Sequence, residues 1–534
     1  MVDLSISGLA VPIANDSVST YCRLRVDAML IVDWKGEGNR GPGLGPQPRR
    51  PHGRNPTMSI DTRTASRFSG DLILRGQGGY EHARTARIFH TRHPERFPAA
   101  VLLAQTEQDV VEGVRLARER GWKVGIKSGG HSFPVWGVRD DGLLIDLAGL
   151  SEMSYSPETG IVSVTPAVRG GQDLNPYLEQ FGVFFPSGSC SSVGVGGFLL
   201  QGGIGWNFRG WGWSAEQIAA IDVVTADGEL IRADDDRNAD LFWAARGAGP
   251  GYCGVITRFH LRTRPLPRGL SSMVQGYRVE DYADVLEWLC AQQHTISGPV
   301  HLVATSGVPQ FPIPGHGDGE LLFLVWAVAF CDSEEDSRAA LAPLTGGAFA
   351  DRAVFTIDPH PTTLHDENAF VDSSCPSGYR YRVDSAWVQG SPADIVAASQ
   401  RLVLDRPRND QGHTFFQYAL PREGPDIAMS LKTDVMVTRY VIYEDPANDD
   451  TYRDFLLSAM GDLEPLTVGQ YWGGADPQTR RVKCLTDANW ARLQQIRTAR
   501  DPDDVFVDYL AGKNKFDNTN GWEALTAEST QAQP

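Results

Sequence analysis

Glycine recurs at short intervals between Gly188 and Gly212, where the chain reads GSCSSVGVGGFLLQGGIGWNFRGWG. Packing alone does not require so many residues without a Cβ atom over such a length. Glycine lets a backbone approach another group closely, and successive N–H groups freed of side chains form a concave site for an anion. The apolar residues between the glycines suit an aromatic ring. The run therefore predicts a site for a flat, phosphorylated ligand, with Cys190 inside it.

A histidine stands in a second glycine motif, GIKSGGHSFPVWG, at residues 125–137. His131 follows two glycines at the end of a predicted strand. Taken singly, a turn histidine or a buried cysteine more often has a structural role. The presence of both motifs in one domain favours a cofactor site that includes His131 and Cys190.

The overall composition narrows the possible partners. A chain of 534 residues with 41% hydrophobic residues is long enough for two or three domains with real cores. Its formal net charge of −17 leaves no basic surface for a phosphate backbone, so nucleic acid is not an expected partner. The seven cysteines have neither CxxC pairs nor metal-ligand spacing. We expect a small-molecule substrate, neutral or cationic, and no metal.

The N-terminal part has the composition of a flexible leader, which we place at residues 1–66. Residues 36–57 are rich in Gly, Pro and Arg and cannot bury enough apolar surface to fold. No run of about 18 apolar residues predicts a membrane span, and no basic region precedes an apolar core as in a signal peptide. We therefore expect a cytoplasmic protein without a membrane partner.

Residues 67–268 are predicted to form one α+β domain. A buried strand, AAVLLAQT, leads into a helix capped by Thr106, with Asp109 completing a capping box and Gly121 marking the end. Further strands follow, and AIDVVTADGELIRAD predicts a hairpin at Asp227 and Gly228.

Two more segments follow. Residues 269–450 contain long apolar strands such as ELLFLVWAVAF and DVMVTRYVIYED, interleaved with helical patterns. This alternation predicts a separate domain with an antiparallel sheet and helices on one face. Residues 451–534 form a C-terminal segment with a helix, NWARLQQIRTA, that ends near an Asp-Pro pair.

The combination of SGGHS, GSCxxVGVGG and GGxGxxxRxxG resembles the FAD-linked oxidases of the vanillyl-alcohol oxidase superfamily. It resembles in particular the berberine-bridge-enzyme-like branch, whose flavin is bound by two covalent bonds. The resemblance runs from about Phe68 to Phe506. It implies an α+β fold with a two-part PCMH-type FAD-binding domain, an antiparallel-sheet substrate domain and a C-terminal segment that returns to the FAD domain.

The resemblance also implies a set of FAD contacts. His131 would bond to the 8α carbon of the flavin and Cys190 to carbon 6. Lys127 stands where the family usually has arginine, and it keeps the cation but loses the bidentate fork. The other expected cofactor-binding residues are Ser128, Gly129, Gly130, Ser132, Gly194, Val195, Gly196, Gly197, Gly202, Gly203, Gly205 and Val255.

The catalytic base departs from the family pattern. Relatives read approximately A-Y-x-N-Y and use the second tyrosine, whereas this chain reads GQYWGGADP. Tyr471 matches the first tyrosine and is our first candidate. The alternative is a polar group on the strand KTDVMVTRYVIYED, and Tyr440 is preferred there over Asp434, Arg439 and Tyr443.

A phenol that acts as a base near neutral pH needs its anion stabilised, because its ordinary pKa is near 10. We expect Lys127 or Arg439 to supply a positive charge near Tyr471. Hydrogen-bond donors directed at the phenol would serve the same purpose.

These residues predict an oxygen-dependent FAD oxidase that removes hydride from an alcohol, a sugar or a carbon beside nitrogen or oxygen, and forms hydrogen peroxide. In this branch valine three residues after the cysteine permits oxygen access, and here it is Val193. The predicted substrate cleft is open and lined by Trp206, Trp211, Trp213 and Trp472. The alternatives are a dehydrogenase with another electron acceptor and a binding protein of the same fold without flavin.

Overall fold

The computed structural model describes residues 66–309, 313 and 319–510. The predicted leader at residues 1–66 lies outside this range apart from its last residue. In the part of the chain that is described, no helix is both long enough and apolar enough to cross a membrane.

The first part of the predicted FAD-binding domain, here called the FAD domain, is a small sheet covered by a capped helix. Its strand order is β1-β2-β4-β3, with β2, β4 and β3 parallel and β1 antiparallel to them. The predicted capping box is present, since Thr106 and Asp109 exchange hydrogen bonds, and Gly121 ends the helix in a left-handed conformation. The elements are β1 (Asp71–Leu74), α1 (Tyr80–Thr85), β2 (Ala100–Leu103), α2 (Glu107–Arg120), β3 (Val124–Lys127) and β4 (Leu143–Asp146).

The second part is a five-stranded antiparallel sheet in the order β5-β6-β10-β8-β9, beside a two-stranded pair of β7 and β11. The hairpin predicted at Asp227 and Gly228 joins β8 to β9, and Gly228 has φ +73°. The elements are β5 (Met153–Ser156), β6 (Ile161–Val164), α3 (Asn175–Glu179), β7 (Val183–Phe184), α4 (Val195–Leu200), α5 (Phe208–Trp211), β8 (Ile218–Val224), β9 (Leu230–Ala233), α6 (Ala239–Ala245), β10 (Val255–Arg262) and β11 (Arg264–Pro265).

The predicted substrate domain, here called the cap, has an antiparallel sheet of eight strands in the order β15-β12-β14-β13-β17-β18-β16-β19. β19 extends this sheet past residue 450. Helices α7, α8, α10 and α11 pack on one face in a common apolar core. The elements are β12 (Ser271–Arg278), α7 (Tyr282–Gln292), β13 (Val300–Gly307), β14 (Leu322–Ala329), α8 (Glu334–Thr345), β15 (Phe355–Pro361), α9 (Leu364–Ser374), β16 (Arg380–Val388), α10 (Pro392–Leu404), β17 (His413–Tyr418), β18 (Val435–Tyr443), α11 (Asp449–Gly461), β19 (Thr467–Gly469) and α12 (Asp487–Arg500).

The chain returns to the FAD domain after the cap, as the resemblance implied. The Val124 N–H donates to the Val505 carbonyl at 2.8 Å, and Phe506 pairs with Val124 as an isolated parallel bridge. Arg500 at the end of α12 forms an ion pair with Asp240 on α6. These contacts place the C-terminal segment against both parts of the FAD domain, and the predicted α+β fold is confirmed.

Candidate active site

A cavity of about 370 Å³ lies between the FAD domain and the face of the cap sheet opposite α7, α8, α10 and α11. The wall on the FAD side includes His131, Cys190 and Val193, and the wall on the cap side includes Tyr440 on β18. Tyr471 from the C-terminal segment also lines it. The structure therefore brings together the two predicted attachment residues and both predicted candidates for the base.

The glycines before His131 are required because three backbone segments meet there. A Cβ on Gly129 would lie 2.6 Å from the backbone nitrogen of Gly194, and a Cβ on Gly130 would lie 1.8 Å from the Arg87 carbonyl oxygen. Gly130 also has φ +81°, which L side chains rarely adopt. The tight bend thus lets the His131 loop touch the loop that follows Cys190.

Ser192 lies between the two attachment residues. Its Oγ is 3.0 Å from His131 Nε2 and 3.7 Å from Cys190 Sγ. The His131 ring stacks on Phe89 with ring centres 4.3 Å apart. His131 Nε2 and Cys190 Sγ, which belong to two different loops, therefore both lie within 4 Å of one hydroxyl group.

Burial sets the protonation state of both residues. It lowers the pKa of His131 to about 4, so the imidazole is neutral at neutral pH. It raises the pKa of the Cys190 thiol well above its ordinary value, and the neighbouring Cys375 and Asp372 act in the same direction. The sulfur is therefore a protonated thiol at neutral pH.

The loop that carries Cys190 is held by helix α9 of the cap. The Ser191 backbone N–H donates to Asp372 Oδ1 at 3.0 Å, and the Ser191 hydroxyl donates to the other carboxylate oxygen. Asn368 Nδ2 donates to the Ser189 carbonyl at 2.6 Å. Residues on both sides of Cys190 are thus fixed by a helix of the other domain, a contact that no sequence motif indicated.

Most of the predicted cofactor-binding residues line the cavity. They are Lys127, Ser128, Gly129, Gly130, His131, Ser132, Cys190, Gly194, Gly196, Gly197 and Val255.

Four of the predicted cofactor residues lie elsewhere in the structure, namely Val195, Gly202, Gly203 and Gly205. Val195 is part of the buried core. Gly202 and Gly203 form a turn with φ +91° and +78°, packed against Trp213 and Phe198. A Cβ on Gly205 would lie 2.0 Å from the Pro186 carbonyl oxygen. These glycines are needed for close packing of the loop rather than for the cavity wall.

Lys127 is on the cavity wall, but its ammonium group is already used. It forms an ion pair with Asp146 at 3.0 Å and donates to the carbonyls of Ala83 and Ala86 at 3.1 and 2.9 Å. Burial lowers the pKa of this lysine. Lys127 therefore does not supply the positive charge that we expected near Tyr471.

Tyr471 is held against the FAD domain. Its ring stacks on Trp213 with centres 5.8 Å apart. Burial raises the pKa of its phenol well above the ordinary value, while the backbone N–H groups of Ile204 and Gly203 oppose the shift. Arg439 contributes nothing here because it forms a buried ion pair with Asp410. Backbone donors thus take the place of the cation that the sequence led us to expect.

Alternation along β18 separates the predicted candidates. Met436, Thr438 and Tyr440 line the cavity. Arg439 lies on the opposite face with Asp410, and Tyr443 bonds to Asp449.

Asp434, just before the strand, contacts His294 in a partly exposed pair. Of the four polar residues considered on this strand, Tyr440 alone lines the cavity. Burial raises the pKa of its phenol as well.

Comparison with known proteins identifies the family. The model of the FAD binding domain matches residues 98–234. The FAD-linked oxidoreductase nodO of Hypoxylon pulicicidum is 34% identical over 431 residues, which cover 79% of this chain and 93% of that protein. The chain belongs to the FAD-linked oxidoreductases. Xylooligosaccharide oxidase of Thermothelomyces thermophilus is 33% identical over 449 residues, 79% of this chain and 88% of that protein.

Solved structures show the same fold for this FAD-linked oxidoreductase. Xylooligosaccharide oxidase from Myceliophthora thermophila C1, in complex with xylobiose, superposes with a TM-score of 0.71 at 21% identity, covering 85% of this chain and 98% of that one. Berberine bridge enzyme from Eschscholzia californica gives a TM-score of 0.70 at 16% identity, with coverage of 84% and 98%. The fold is that of the PCMH-type FAD oxidases.

The residues of this FAD-linked oxidoreductase fit its cofactor. Apart from its chain neighbours and its own helix backbone, a Cβ on Gly197 would meet no atom within 4 Å, although Gly197 lies on the cavity wall. Its backbone therefore borders space that a ligand can fill. The imidazole and thiol that open onto the same cavity are the nucleophiles a covalent flavin needs. The chain thus offers both a backbone surface and two attachment atoms for FAD.

The predicted tryptophan lining of the cleft is only partly correct. Trp472 lines the cavity, and its indole N–H donates to the Gly247 carbonyl at 3.2 Å. Trp206, Trp211 and Trp213 pack in apolar clusters behind the wall.

Among the cavity residues that escaped sequence analysis, four from the cap are His301, Trp326, Cys375 and Tyr381. Trp326 and Tyr381 sit in strand patterns typical of core residues. A histidine within the apolar strand VHLVATSG was the one available signal for His301.

Proposed function

We propose that this FAD-dependent oxidoreductase is an oxygen-dependent oxidase with bicovalently attached flavin. When bound, FAD accepts hydride from a substrate carbon and passes both electrons to oxygen. For a secondary alcohol the balance is one alcohol and one dioxygen giving one ketone and one hydrogen peroxide. The substrate carbon belongs to an alcohol, a sugar or a secondary metabolite.

The observation that carries this proposal is the meeting of His131 and Cys190 at Ser192 on one cavity wall. His131 would hold the 8α carbon of the ring, and Cys190 would hold carbon 6. A neutral imidazole has a free electron pair for bond formation, which supports the first link. Two bonds would fix the ring orientation against the cap without a closing lid.

The proton of the substrate hydroxyl group needs an acceptor. Tyr471 is the first candidate, because backbone N–H groups directed at its phenol favour the anion. Tyr440 on the opposite wall is the second candidate. A positioned base typically contributes roughly 10²- to 10⁴-fold to the rate.

Oxygen as the electron acceptor is supported by Val193, which lines the cavity three residues after Cys190. The names of two relatives, xylooligosaccharide oxidase and the carbohydrate oxidase of Microdochium nivale, also favour an oxidase. A dehydrogenase with another acceptor is the second candidate function.

The test is to precipitate the purified enzyme with acid and to identify flavin-bearing peptides by mass spectrometry. We expect the flavin to stay with the protein, attached to peptides containing His131 and Cys190. His131→Ala and Cys190→Ala should each keep flavin through the other bond, and the double variant should release it. Free FAD in the supernatant of the wild type would refute bicovalent attachment.

A second measurement addresses the acceptor. Peroxide formation and oxygen consumption are followed together with a panel of alcohols and sugars. Equal amounts of oxygen consumed and peroxide formed support the oxidase. Flavin reduction by substrate without reoxidation in air would instead identify a dehydrogenase.

A further inference from the structure

The cap closes the cavity with side chains that carry no charge. They are His301, Val303, Trp326, Val371, Cys375, Tyr381, Phe415, Gln417, Met436, Thr438 and Tyr440. Burial lowers the pKa of His301 to about 4, so its imidazole is neutral at neutral pH.

The cavity offers no partner for a charged substrate. Among the described residues, Lys127 is the only lining residue with a formal charge, and its ammonium group is paired with Asp146. Within the same described part of the chain, no carboxylate lines the wall to receive an ammonium group. A buried charge without a partner is strongly unfavourable. The cap side of the lining therefore selects against carboxylate, phosphate and amine groups on the substrate.

His301 is a polar group of this wall whose ring forms no hydrogen bond with another described residue. It is 5% exposed, and its ring is held edge-to-face by Trp206 and Trp326 at 5.4 and 5.2 Å. No hydrogen bond joins its ring to another described residue. Buried polar groups are nearly always hydrogen bonded. A ligand in the cavity can supply the bond that the protein does not.

The remaining wall favours a ring compound over an oligosaccharide. Phe415, Val303 and Met436 line it beside Trp326. Each sugar hydroxyl that is buried without a partner costs free energy, and this surface is mainly aromatic and aliphatic. Thr438 is a further polar group whose Oγ1 is buried without a partner among the described residues.

We propose that the substrate is a neutral, largely apolar ring compound with a hydroxyl group, and that His301 hydrogen bonds to a polar atom of it. The two tryptophans fix the direction of the imidazole, and the apolar wall takes up the ring system. This inference rests on the proposed oxidase function, since it assigns the substrate to the same cavity.

Binding to the holoenzyme tests the inference without turnover. Under nitrogen, the flavin difference spectrum is titrated with 2-naphthylmethanol, a hydroxysteroid, 2-naphthoate and xylobiose. We expect the two neutral ring alcohols to bind more tightly than the carboxylate and the disaccharide. Tighter binding of xylobiose or naphthoate, or no spectral change with either ring alcohol, would overturn the inference.

His301→Phe keeps an aromatic ring but removes the hydrogen bond. We expect it to weaken 2-naphthylmethanol roughly three- to tenfold, the usual worth of one such bond, and to leave 2-methylnaphthalene unchanged. His365→Phe, at an exposed position of α9, is the matched control and should change neither ligand. Equal weakening of both ligands by His301→Phe would mean that the residue only shapes the wall.

The same titrations separate the two proposals. If the acid-precipitated protein carries flavin on His131 and Cys190 but xylobiose is the preferred ligand, the substrate assignment fails and the bicovalent oxidase stands. If the ring alcohols bind and FAD is released by acid, covalent attachment fails and the substrate assignment stands.

Discussion

Two of the tyrosines that line the cavity, Tyr440 and Tyr471, are the candidates for the base, and their protonation decides how each can act. Burial raises the pKa of both Tyr440 and Tyr471, so each is a neutral phenol at neutral pH. Tyr471 alone of the two has backbone donors that oppose this shift. That difference favours Tyr471 as the group that takes the substrate proton.

Tyr471→Phe should lower the rate of flavin reduction by roughly two to four orders of magnitude, because the proton acceptor is lost. In the wild type the rate of flavin reduction should rise with pH above neutrality. Because the pKa of Tyr471 is raised, only a small fraction of its phenol is ionised at neutral pH, and this fraction grows as the pH increases. The variant should lose this rise. Anaerobic stopped-flow measurements from about pH 7 to about pH 10, the ordinary pKa of a phenol, provide the check.

Tyr440→Phe is the matched control for this experiment. If Tyr471 is the base, the control should reduce the rate by less than about tenfold, a loss below roughly 1.4 kcal/mol. A large effect at Tyr440 with a small one at Tyr471 would move the base to β18.

Val193→Leu should slow reoxidation of the reduced enzyme by air severalfold and leave flavin reduction nearly unchanged. The larger side chain would narrow the space beside Cys190, and only the oxidative half-reaction needs oxygen there. Stopped-flow absorbance measures the two half-reactions separately. Val255→Leu, elsewhere on the same wall, is the control for added side-chain volume alone. Equal slowing of both half-reactions by Val193→Leu would contradict a specific role of Val193 in oxygen access.

At the scale of elements, the contact between helix α9 and the Cys190 loop links the two domains. Asp372 accepts two hydrogen bonds from Ser191, and Asn368 donates one to Ser189. The His131 loop is instead held within the FAD domain through Gly129 and Gly194. The two proposed flavin bonds therefore depend on different elements.

Asp372→Asn should slow formation of the Cys190 bond about tenfold and leave the His131 bond intact. The substitution removes a charge-assisted hydrogen bond, typically worth about 1.5 kcal/mol or more. Mass spectrometry of flavin-bearing peptides after reconstitution with FAD measures both bonds.

Asp366→Asn on the same helix is the control for this variant. Its carboxylate is exposed and contacts only the capping Thr363 among the described side chains. Equal loss of both flavin bonds in Asp372→Asn would indicate a general folding defect rather than a local effect on Cys190.

At the scale of the whole molecule, buried neutral histidines make stability depend on pH. Burial lowers the pKa of His90 and His301 to about 4 and that of His413 to about 3. In the unfolded chain these histidines take up protons near pH 6.5, whereas in the folded protein they stay neutral at that pH. Stability is therefore full above about pH 6.5 and falls as the pH drops toward about 4.

Each such histidine should cost about 2 kcal/mol of unfolding free energy between about pH 7.5 and about pH 5. Urea unfolding at the two pH values measures the loss. His301→Phe should reduce this loss of unfolding free energy by the contribution of one histidine. His365→Phe, at an exposed position, should leave the loss unchanged. A wild type equally stable at both pH values would contradict neutral burial of these groups.

Local sequence patterns were sufficient to predict several of the helices and turns. Thr106 and Asp109 specified the start of α2, and Asp227 with Gly228 specified a hairpin, because capping and turn chemistry act within a few residues. The glycines before His131 signalled a close backbone approach, although not the segments that meet there.

The positions of the other site residues depend on contacts between segments that are distant in the sequence. Alternation on β18 gave two faces, but only packing against the FAD domain selected the one with Tyr440. Lys127 meets Asp146 because two parallel strands lie side by side. The sequence alone was enough to predict the fold and FAD as the cofactor, and to propose His131 and Cys190 as the residues that attach it. The tertiary structure placed His301 on the cavity wall and Asp372 against the Cys190 loop, since their roles depend on a cap sheet and helix that reach the FAD domain only after folding.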